Sequence, residues 1–210
     1  HAANVSVQEG WFVFDFESEA HQLKGLRFTL PGRHNVENAT AAISVALQLG
    51  VSHEKIREAL QTFKGIKRRF DFIYRDDKMV YINDYAHHPT ELKAAIGAAK
   101  ELFPDRKITG VFQPHLYTRT RDFQDDFAKA LDGLDEIVLM DIYPAREEPI
   151  PGVSSEIIFE KMQNSNKELV LKTNLMNVLK TKDLEVVLTL GAGDIDTFVE
   201  PVKNYLESLK

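Results

Sequence analysis

The sequence contains no cysteine and no long apolar run, and these absences narrow the kinds of protein it can be. Without cysteine there can be no disulfide, thiolate metal site or thiol nucleophile. A reducing compartment is favoured, so we expect a cytoplasmic protein. No apolar stretch approaches the roughly 20 residues of a membrane helix and no secretory signal pattern is present, so we expect no membrane partner.

The sequence also lacks a dominant positive charge and a phosphate-binding glycine loop. Its net charge is −6, which argues against nucleic acid as a partner, although Lys67-Arg68-Arg69 could contact a phosphate. None of its 11 glycines lies in a G-x-x-x-x-G-K-[ST] arrangement, so residues outside the chain would hold a nucleotide's phosphates. The chain opens with His1 in what reads as folded sequence, and we expect a fragment.

The apolar pattern predicts two kinds of organisation along the chain. Before a joint at 65–69 we predict strands over 11–16 and 26–30 and helices over 35–49 and 52–63, with Gly50 as a stop and Ser52 as a cap. Residues 70–75 and 79–83 predict a hairpin. Helices then alternate with strands. The predicted helices cover 91–102, 122–131, 175–180 and 195–209, and a further helix begins at 155. The predicted strands cover 107–112, 136–142, 169–171 and 185–190. Such alternation predicts an α/β fold with a Rossmann-like, mostly parallel, doubly wound sheet.

Residues able to do chemistry follow the predicted carboxyl ends of four strands. They are Asn83-Asp84-Tyr85, Gln113-Pro114-His115, Tyr143-Pro144-Ala145-Arg146 and Gly191-Ala192-Gly193-Asp194. Because a parallel sheet brings successive strand ends to one edge, these segments should share a crevice, where open α/β sheets bind ligands. The densest stretch runs from Asn83 to Glu91 and holds two carboxylates, two imidazoles and a phenol.

Several of these histidines and their neighbours allow two interpretations. His87 and His88 could be a metal pair, but adjacent loop residues point apart and no third ligand stands at a familiar spacing, so we predict no metal site. The alternative is that one satisfies a buried turn and the other is solvated. His34 and Asn38 share one face at a helix start, where an Asn amide could match the N6/N7 edge of adenine. The alternative there is an ordinary polar first turn capped by Asn35.

The arginines Arg119 and Arg121 are equally open. The planar fork of arginine suits a carboxylate or phosphate held by two hydrogen bonds. The alternative is a solvated basic turn paired with Asp122 or Asp125. The turn Gly191-Ala192-Gly193 would let the backbone approach a ligand closely, although many strand-to-helix turns carry such glycines.

Taken together, these segments resemble the Mur ligase family. The residues that carry the resemblance are Gly32-Arg33-His34-Asn35 with Asn38-Ala39, Arg68-Arg69-Phe70, Asp84 to Glu91, Phe112 to His115 with Tyr117 to Arg121, Tyr143 to Glu147 with Pro149 to Gly152, and Gly191 to Ile195. They span nearly the whole chain in family order. The resemblance implies that residues 1–69 are the end of a central ATP-binding domain and residues 70–210 a complete carboxyl-terminal domain for the incoming amino acid.

The resemblance also implies roles for eight residues. On the nucleotide side, His34 and Asn38 would contact adenine, and Arg69 would contact the phosphates. Asp84 and Tyr85 would contact the rest of the nucleotide. The acceptor side would comprise His87, His115 and Arg119. Two positions depart from the family pattern, since Asn83 stands where many relatives have Asp and Leu116 where some have Arg.

The implied reaction is that of the family members that join L-alanine to UDP-N-acetylmuramate in peptidoglycan synthesis. ATP, with Mg²⁺ bridging its phosphates, would convert a carboxylate to an acyl phosphate that the amine attacks. Because the metal ligands and the phosphate lysine would lie outside the chain, we expect it to be inactive alone. The alternatives are a ligase for a recycled tripeptide, a non-catalytic nucleotide or amino-acid binding module, and a metal-dependent hydrolase built on His87, His88 and Glu91.

Overall fold

The computed structural model describes residues 1–209, and the chain divides into two compact units. The first unit comprises residues 1–66 and 97–104, and the second comprises residues 67–96 and the chain from residue 105 onward. Within the described residues, no helix is both long enough and apolar enough to cross a bilayer.

The first unit contains a three-stranded antiparallel sheet and two helices. The strands are β1 (Ala2–Gln8), β2 (Trp11–Glu17) and β3 (Gln22–Phe28), and the helices are α1 (Arg33–Gln48) and α2 (His53–Thr62). Alternate residues of β2 point into one apolar core, as a strand with one buried face requires, and they are Phe12, Phe14 and Phe16. The Ser52 hydroxyl accepts a hydrogen bond from the Lys55 backbone N–H, which confirms the predicted start of α2.

The structure differs from the sequence prediction at both ends of this sheet. β1 has no counterpart in the prediction, since its residues are only partly buried and show little apolar alternation. β3 ends at Phe28 rather than at Leu30. Thr29 leaves the sheet because its hydroxyl donates to the Phe63 carbonyl (2.6 Å) just after α2.

The expected helix cap by Asn35 is wrong. α1 begins at Arg33, directly after Gly32, whose φ of 98° is a left-handed conformation that favours glycine. The Asn35 amide instead donates back to the Pro31 carbonyl (2.7 Å). The side chain of Asn35 therefore ties the preceding turn to the helix rather than capping the helix N–H groups.

The second unit is built on a six-stranded sheet with strand order β4-β5-β9-β6-β7-β8. The strands are β4 (Asp71–Arg75), β5 (Val80–Asp84), β6 (Ile108–Phe112), β7 (Glu136–Met140), β8 (Lys167–Val170) and β9 (Val186–Leu190). β4 is antiparallel to β5, and the other pairings are parallel. The helices of this unit are α4 (Tyr117–Leu131), α5 (Glu156–Phe159), α6 (Leu175–Leu179) and α7 (Val199–Glu207), together with the first part of α3 (Pro89–Leu102), whose residues from 97 onward belong to the first unit. The predicted α/β fold with a mostly parallel sheet flanked by helices is confirmed.

The four central strands of this sheet, β5, β9, β6 and β7, are buried along their whole length. Burial on both faces explains why they read in the sequence as continuous apolar runs. Because they are parallel, their carboxyl ends lie side by side at one edge of the sheet. That edge positions the candidate site.

Two helices of this unit differ from the prediction. α4 begins at Tyr117, earlier than the predicted start at 122, and it is interrupted at Phe123 (φ −119°). The predicted helix therefore corresponds to the second half of α4. The predicted helix over 195–209 is likewise split, since Asp194–Phe198 form a 3₁₀ turn before α7.

Candidate functional site

The ends of the parallel strands meet through direct hydrogen bonds, as the sequence predicts. The backbone N–H of Gly191, just past β9, donates to the Asp84 carbonyl at the end of β5 (3.2 Å). The Gln113 amide, just past β6, donates to the Asp194 carboxylate (2.8 Å). An isolated β-bridge joins the segments that follow β6 and β7. The four predicted segments thus share one edge of the second unit.

Close packing at this edge requires glycine at position 193. A Cβ added to Gly193 would lie 2.5 Å from Gln113 Oε1 and 2.7 Å from Tyr143 Cβ. Gln113 is only 2% exposed, and its Oε1 is held by the Ile195 backbone N–H (2.9 Å). The close backbone approach expected of the glycine-rich turn is therefore made by Gln113 and Tyr143 of the protein itself.

Asp84 braces the turn that follows β5. One carboxylate oxygen accepts the backbone N–H of Phe70 (2.7 Å), and the other accepts that of Ala86 (2.7 Å). The residue is 9% exposed. Charge-assisted hydrogen bonds of this kind are stronger than neutral ones, so Asp84 holds the neighbouring Tyr85 and His87 in place.

Glu91 fastens the other end of the same turn to α3. Its Oε2 accepts the backbone N–H groups of His87 (2.9 Å) and His88 (3.2 Å) and lies 3.0 Å from His87 Nδ1. Burial raises the pKa of Glu91, but the His87 N–H, the charge of His87 and the His88 N–H outweigh burial and leave that pKa below its ordinary value. Glu91 is therefore ionised near pH 7.

His87 and His115, from different strand ends, form an edge-to-face pair with ring centroids 6.0 Å apart. His115 also stacks on Tyr143 (5.7 Å), and its Nδ1 lies 3.3 Å from Arg119 Nη1. Burial, and then the positive charge of Arg119, lowers the pKa of His115 below its ordinary value. Near pH 7, His115 is therefore neutral and lies beside the permanently charged guanidinium of Arg119.

The first turn of α4 is capped by a residue from a distant loop. Glu147 accepts hydrogen bonds from the Thr118 backbone N–H (3.0 Å) and from the Thr118 hydroxyl. These hydrogen bonds lower the pKa of Glu147. Leu116, where some relatives have Arg, precedes the helix with a φ of 73°, a conformation that is strained for a non-glycine residue. Glu147 thus stabilises the helix start that displays Arg119.

The structure shows different surroundings for Arg119 and Arg121, which the sequence alone does not distinguish. Arg119 lies beside His115 at the edge of the sheet. Arg121 forms an ion pair with Asp122 (2.7 Å), and its side chain is 51% exposed. Asp125 binds Lys161 instead (2.8 Å). The solvated-turn interpretation therefore holds for Arg121 with Asp122.

His88 contacts a different element from His87. Its ring packs on Phe123, 4.8 Å away, at the interruption of α4. Over residues 1–209, no group of three or more His, Cys, Asp or Glu side chains is arranged to hold a metal ion.

Arg68 is a structural residue that the sequence did not distinguish from its neighbours. Its Nη2 donates to the Gly191 carbonyl (2.7 Å), its Nη1 pairs with Asp196 (3.2 Å), and its guanidinium lies 4.7 Å from the centre of the Tyr85 ring. The Tyr85 backbone N–H donates to the Arg68 carbonyl (2.7 Å). Arg68 therefore ties the start of this unit to the ends of β5 and β9. The contacts of Arg68 with the Gly191 carbonyl and the Asp196 carboxylate show this role, whereas its position in the sequence does not.

Arg69 differs from the partly buried Arg68 in its exposure to solvent. It is exposed, and its guanidinium lies 5.9 Å from the centre of the same Tyr85 ring. Tyr85 itself is half-buried and contacts the His87 ring (5.2 Å). Arg69 and Tyr85 are thus adjacent, with the arginine available to solvent.

The two residues predicted to contact adenine lie in the first unit. His34 and Asn38 are exposed on the first turns of α1. The His34 ring folds back over the helix start, since a Cβ on Gly32 would lie 2.7 Å from it. Asn38 lines an open pocket of about 430 Å³ whose walls are mostly apolar side chains of β3, α1 and α2.

Asn83 belongs to a buried, uncharged network beneath the site. It is 2% exposed, and its Oδ1 accepts the Thr189 hydroxyl (3.0 Å), which lies 3.2 Å from the Tyr81 hydroxyl. Burial raises the pKa of Tyr81 to about 12. A charged Asp at position 83 would be costly among these neutral groups, so the amide suits this surrounding.

Comparison with known proteins identifies the second unit. A family model described as "Mur ligase, glutamate ligase domain" matches residues 68–193, more than half of the chain. The chain belongs to the Mur ligase family. The matched Mur ligase segment contains six of the eight predicted site residues, and the two outside it are His34 and Asn38.

Curated relatives of this Mur ligase chain match it almost from end to end. The UDP-N-acetylmuramate–L-alanine ligase of Flavobacterium psychrophilum is 49% identical over 98% of this chain and 46% of its own length. The enzyme of the same name from Parabacteroides distasonis is 50% identical over 98% of this chain and 45% of its own length. The chain therefore spans about half the length of the curated relatives it matches.

Solved Mur ligase structures share the fold. The UDP-N-acetylmuramate–alanine ligase of Thermotoga maritima superposes with a TM-score of 0.82 at 29% identity, over 100% of this chain and 46% of that chain. The MurF ligase of the same organism, solved in complex with ADP, gives a TM-score of 0.73 at 18% identity over 100% of this chain and 47% of that chain. The latter likeness shows the fold alone.

Proposed function

We propose that this chain is the carboxyl-terminal part of an ATP-dependent ligase that joins L-alanine to UDP-N-acetylmuramate. The observation that carries the proposal is the 49% identity with the Flavobacterium psychrophilum L-alanine ligase over 98% of this chain. The reaction would serve peptidoglycan synthesis in the cytoplasm, and through it cell-wall biogenesis, cell shape and cell division.

The edge formed by the His87–His115 pair and α4 suits the acceptor amino acid. Arg119, beside His115, supplies positive charge for a carboxylate. His115 and His87 are half-buried, so an amino acid held there would be partly shielded from water. Holding the amine against an acyl phosphate is the main contribution such a site can make to the rate.

The nucleotide contacts are proposed from the same family likeness. An exposed guanidinium such as that of Arg69 fits a phosphate, and the Tyr85 ring offers a flat surface beside it. Asp84, His34 and Asn38 are the other proposed nucleotide contacts. A solved relative, the MurF ligase of Thermotoga maritima, holds ADP. Residues 1–209 contain no group of three or more His, Cys, Asp or Glu side chains arranged to hold Mg²⁺, so the ligands of that ion would lie in the rest of the ligase.

Ligation of a recycled tripeptide is the nearest competing function. The murein peptide ligase of Psychrobacter arcticus superposes with a TM-score of 0.59 at 22% identity, below the 0.82 and 29% of the alanine ligase of Thermotoga maritima. L-Alanine is therefore the better supported acceptor.

Release of ADP by the complete gene product tests the proposal. We expect release that depends on both UDP-N-acetylmuramate and L-alanine, and none from the 210-residue chain alone, because residues that hold the phosphates lie outside it. A preference for tripeptide over L-alanine in competition would select the recycling ligase. Turnover by the isolated chain would contradict the assignment of the ATPase residues to the remainder of the protein.

A further inference from the structure

The hydrogen-bond partners of His87 determine where its proton lies when the ring is neutral. Nδ1 lies 3.1 Å from the Tyr85 carbonyl and 3.0 Å from Glu91 Oε2. A carbonyl and an ionised carboxylate can only accept hydrogen bonds, so Nδ1 must carry the proton. Nε2 of neutral His87 is therefore an unprotonated nitrogen with a free lone pair.

His115 has the opposite arrangement. Its Nδ1 faces Arg119 Nη1 at 3.3 Å. Arginine can only donate hydrogen bonds, so Nδ1 of His115 must accept and the proton must lie on Nε2. Two imidazoles whose centroids are 6.0 Å apart thus carry opposite tautomers, each set by its own neighbour.

We infer that this tautomer pair divides the acceptor chemistry, with His87 Nε2 as the base for the substrate ammonium group and His115 Nε2–H as a donor to its carboxylate. The inference rests on the proposed function, since it assumes an amino-acid acceptor. An amine enters as an ammonium ion, which has no lone pair and cannot attack an acyl phosphate. A lone pair and an N–H donor are the groups that an amino acid's two ends require.

His87 Nε2 takes one proton from the ammonium group and becomes an imidazolium. The freed nitrogen lone pair forms the C–N bond, the bond from carbon to the phosphate oxygen breaks, and phosphate leaves with that electron pair. The second proton of the nitrogen passes to the departing phosphate, and His87 later returns its proton to water.

Glu91 is the positioning residue for this base. It touches no reacting atom, but its carboxylate holds Nδ1–H and would stabilise the imidazolium that forms. It also accepts the backbone N–H groups of His87 and His88, so the ring and its backbone are held by one carboxylate. The other charged groups that act on this set are Arg69 on Glu91, and Arg119 and Glu147 on His115.

Nitrogen-15 NMR of the histidine side chains tests the tautomers without any substrate. In the 210-residue chain at a pH where the rings are neutral, we expect a protonated Nδ1 and a bare Nε2 for His87, and the reverse for His115. A protonated Nε2 on neutral His87 would overturn the inference whatever the enzyme's activity.

Kinetics of the complete enzyme test the roles. We expect His87→Gln to lower kcat by about 100-fold or more, with a smaller change in KM for L-alanine, and to remove the acid limb of the pH profile of kcat. Glu91→Gln keeps acceptors for the backbone N–H groups but lacks the charge, so it should lower kcat by about tenfold and move the acid limb to lower pH. His88→Gln is the matched control, since His88 packs on Phe123.

The outcomes separate the two proposals. If the wild-type enzyme does not ligate L-alanine, the proposed function fails and the base assignment fails with it, even where the tautomers are confirmed. If the wild-type enzyme ligates L-alanine but His87→Gln retains kcat and the acid limb, the base assignment alone is overturned.

Discussion

At the residue scale, α4 distinguishes two arginines that look alike in the sequence. Arg119 and Arg121 are two positions apart, and a helix rotates by about 100° per residue, so their side chains point in nearly opposite directions. One lies against His115, and the other is paired with Asp122 in solvent.

The first of these arginines should matter for the acceptor and the second should not. We expect Arg119→Ala to raise the KM for L-alanine of the complete enzyme by about tenfold or more, since a hydrogen bond to a charged group contributes about 1.5–3 kcal/mol. Arg121→Ala, the matched control, should change it less than twofold. The KM for ATP should be unchanged in both. Equal effects of the two substitutions would contradict the assignment.

Residue types, but not their partners, could be predicted from this sequence. The nine-residue stretch from Asn83 to Glu91 was recognisable by its density of polar groups. Which member of Lys67-Arg68-Arg69 is partly buried was not recognisable, because Arg68 finds its partners at Gly191 and Asp196, more than a hundred positions away. Tautomers likewise depend on contacts that have no signature in sequence.

At the element scale, the sequence predicts best where structure is set locally. Ser52 and Gly50 mark a helix start and a helix stop through their own backbone and side chain, and both are confirmed. The start of α4 was missed because its cap, Glu147, comes from a loop 29 residues later. Strand ends were predictable as a group because parallel pairing brings them together whatever the loops contain.

Two glycines allow the packing of the strand ends to be tested. Gly193→Ala should destabilise the chain by about 1–3 kcal/mol, because the new Cβ would overlap Gln113 and Tyr143. Gly97→Ala, in α3, has no atom within 4 Å of the new Cβ. That control should stabilise the chain by about 0.5–1 kcal/mol through helix propensity. Urea unfolding of both variants measures the difference, and a neutral Gly193→Ala would show that the turn can yield.

At the scale of the whole molecule, several buried or half-buried carboxylates make stability depend on pH. Burial raises the pKa of Glu136, but hydrogen bonds from Lys107 and Lys182 outweigh burial and leave the pKa below 4.5. Asp194 is shifted in the same direction, since Lys172 and Gln113 outweigh its burial. As the pH falls towards the ordinary pKa values of these carboxylates, the unfolded chain therefore binds more protons than the folded chain.

Stability should consequently be complete at neutral pH and should be lost as the pH falls below about 5. The midpoint of urea unfolding, measured between pH 7 and pH 3, is the appropriate observable. Glu136→Gln should make its pH dependence shallower, whereas the same change at the exposed Glu148 should leave the slope as in the wild type. A midpoint that does not move between pH 7 and pH 3 would contradict this account.

The position of β9 in the sheet has a consequence for synthesis on the ribosome. β9 begins at Val186 and fits between β5, which ends at Asp84, and β6, which ends at Phe112. A nascent chain therefore exposes two unjoined strand edges during translation until residue 190 emerges from the exit tunnel. Chaperone capture of stalled chains should drop sharply once that strand is free to insert.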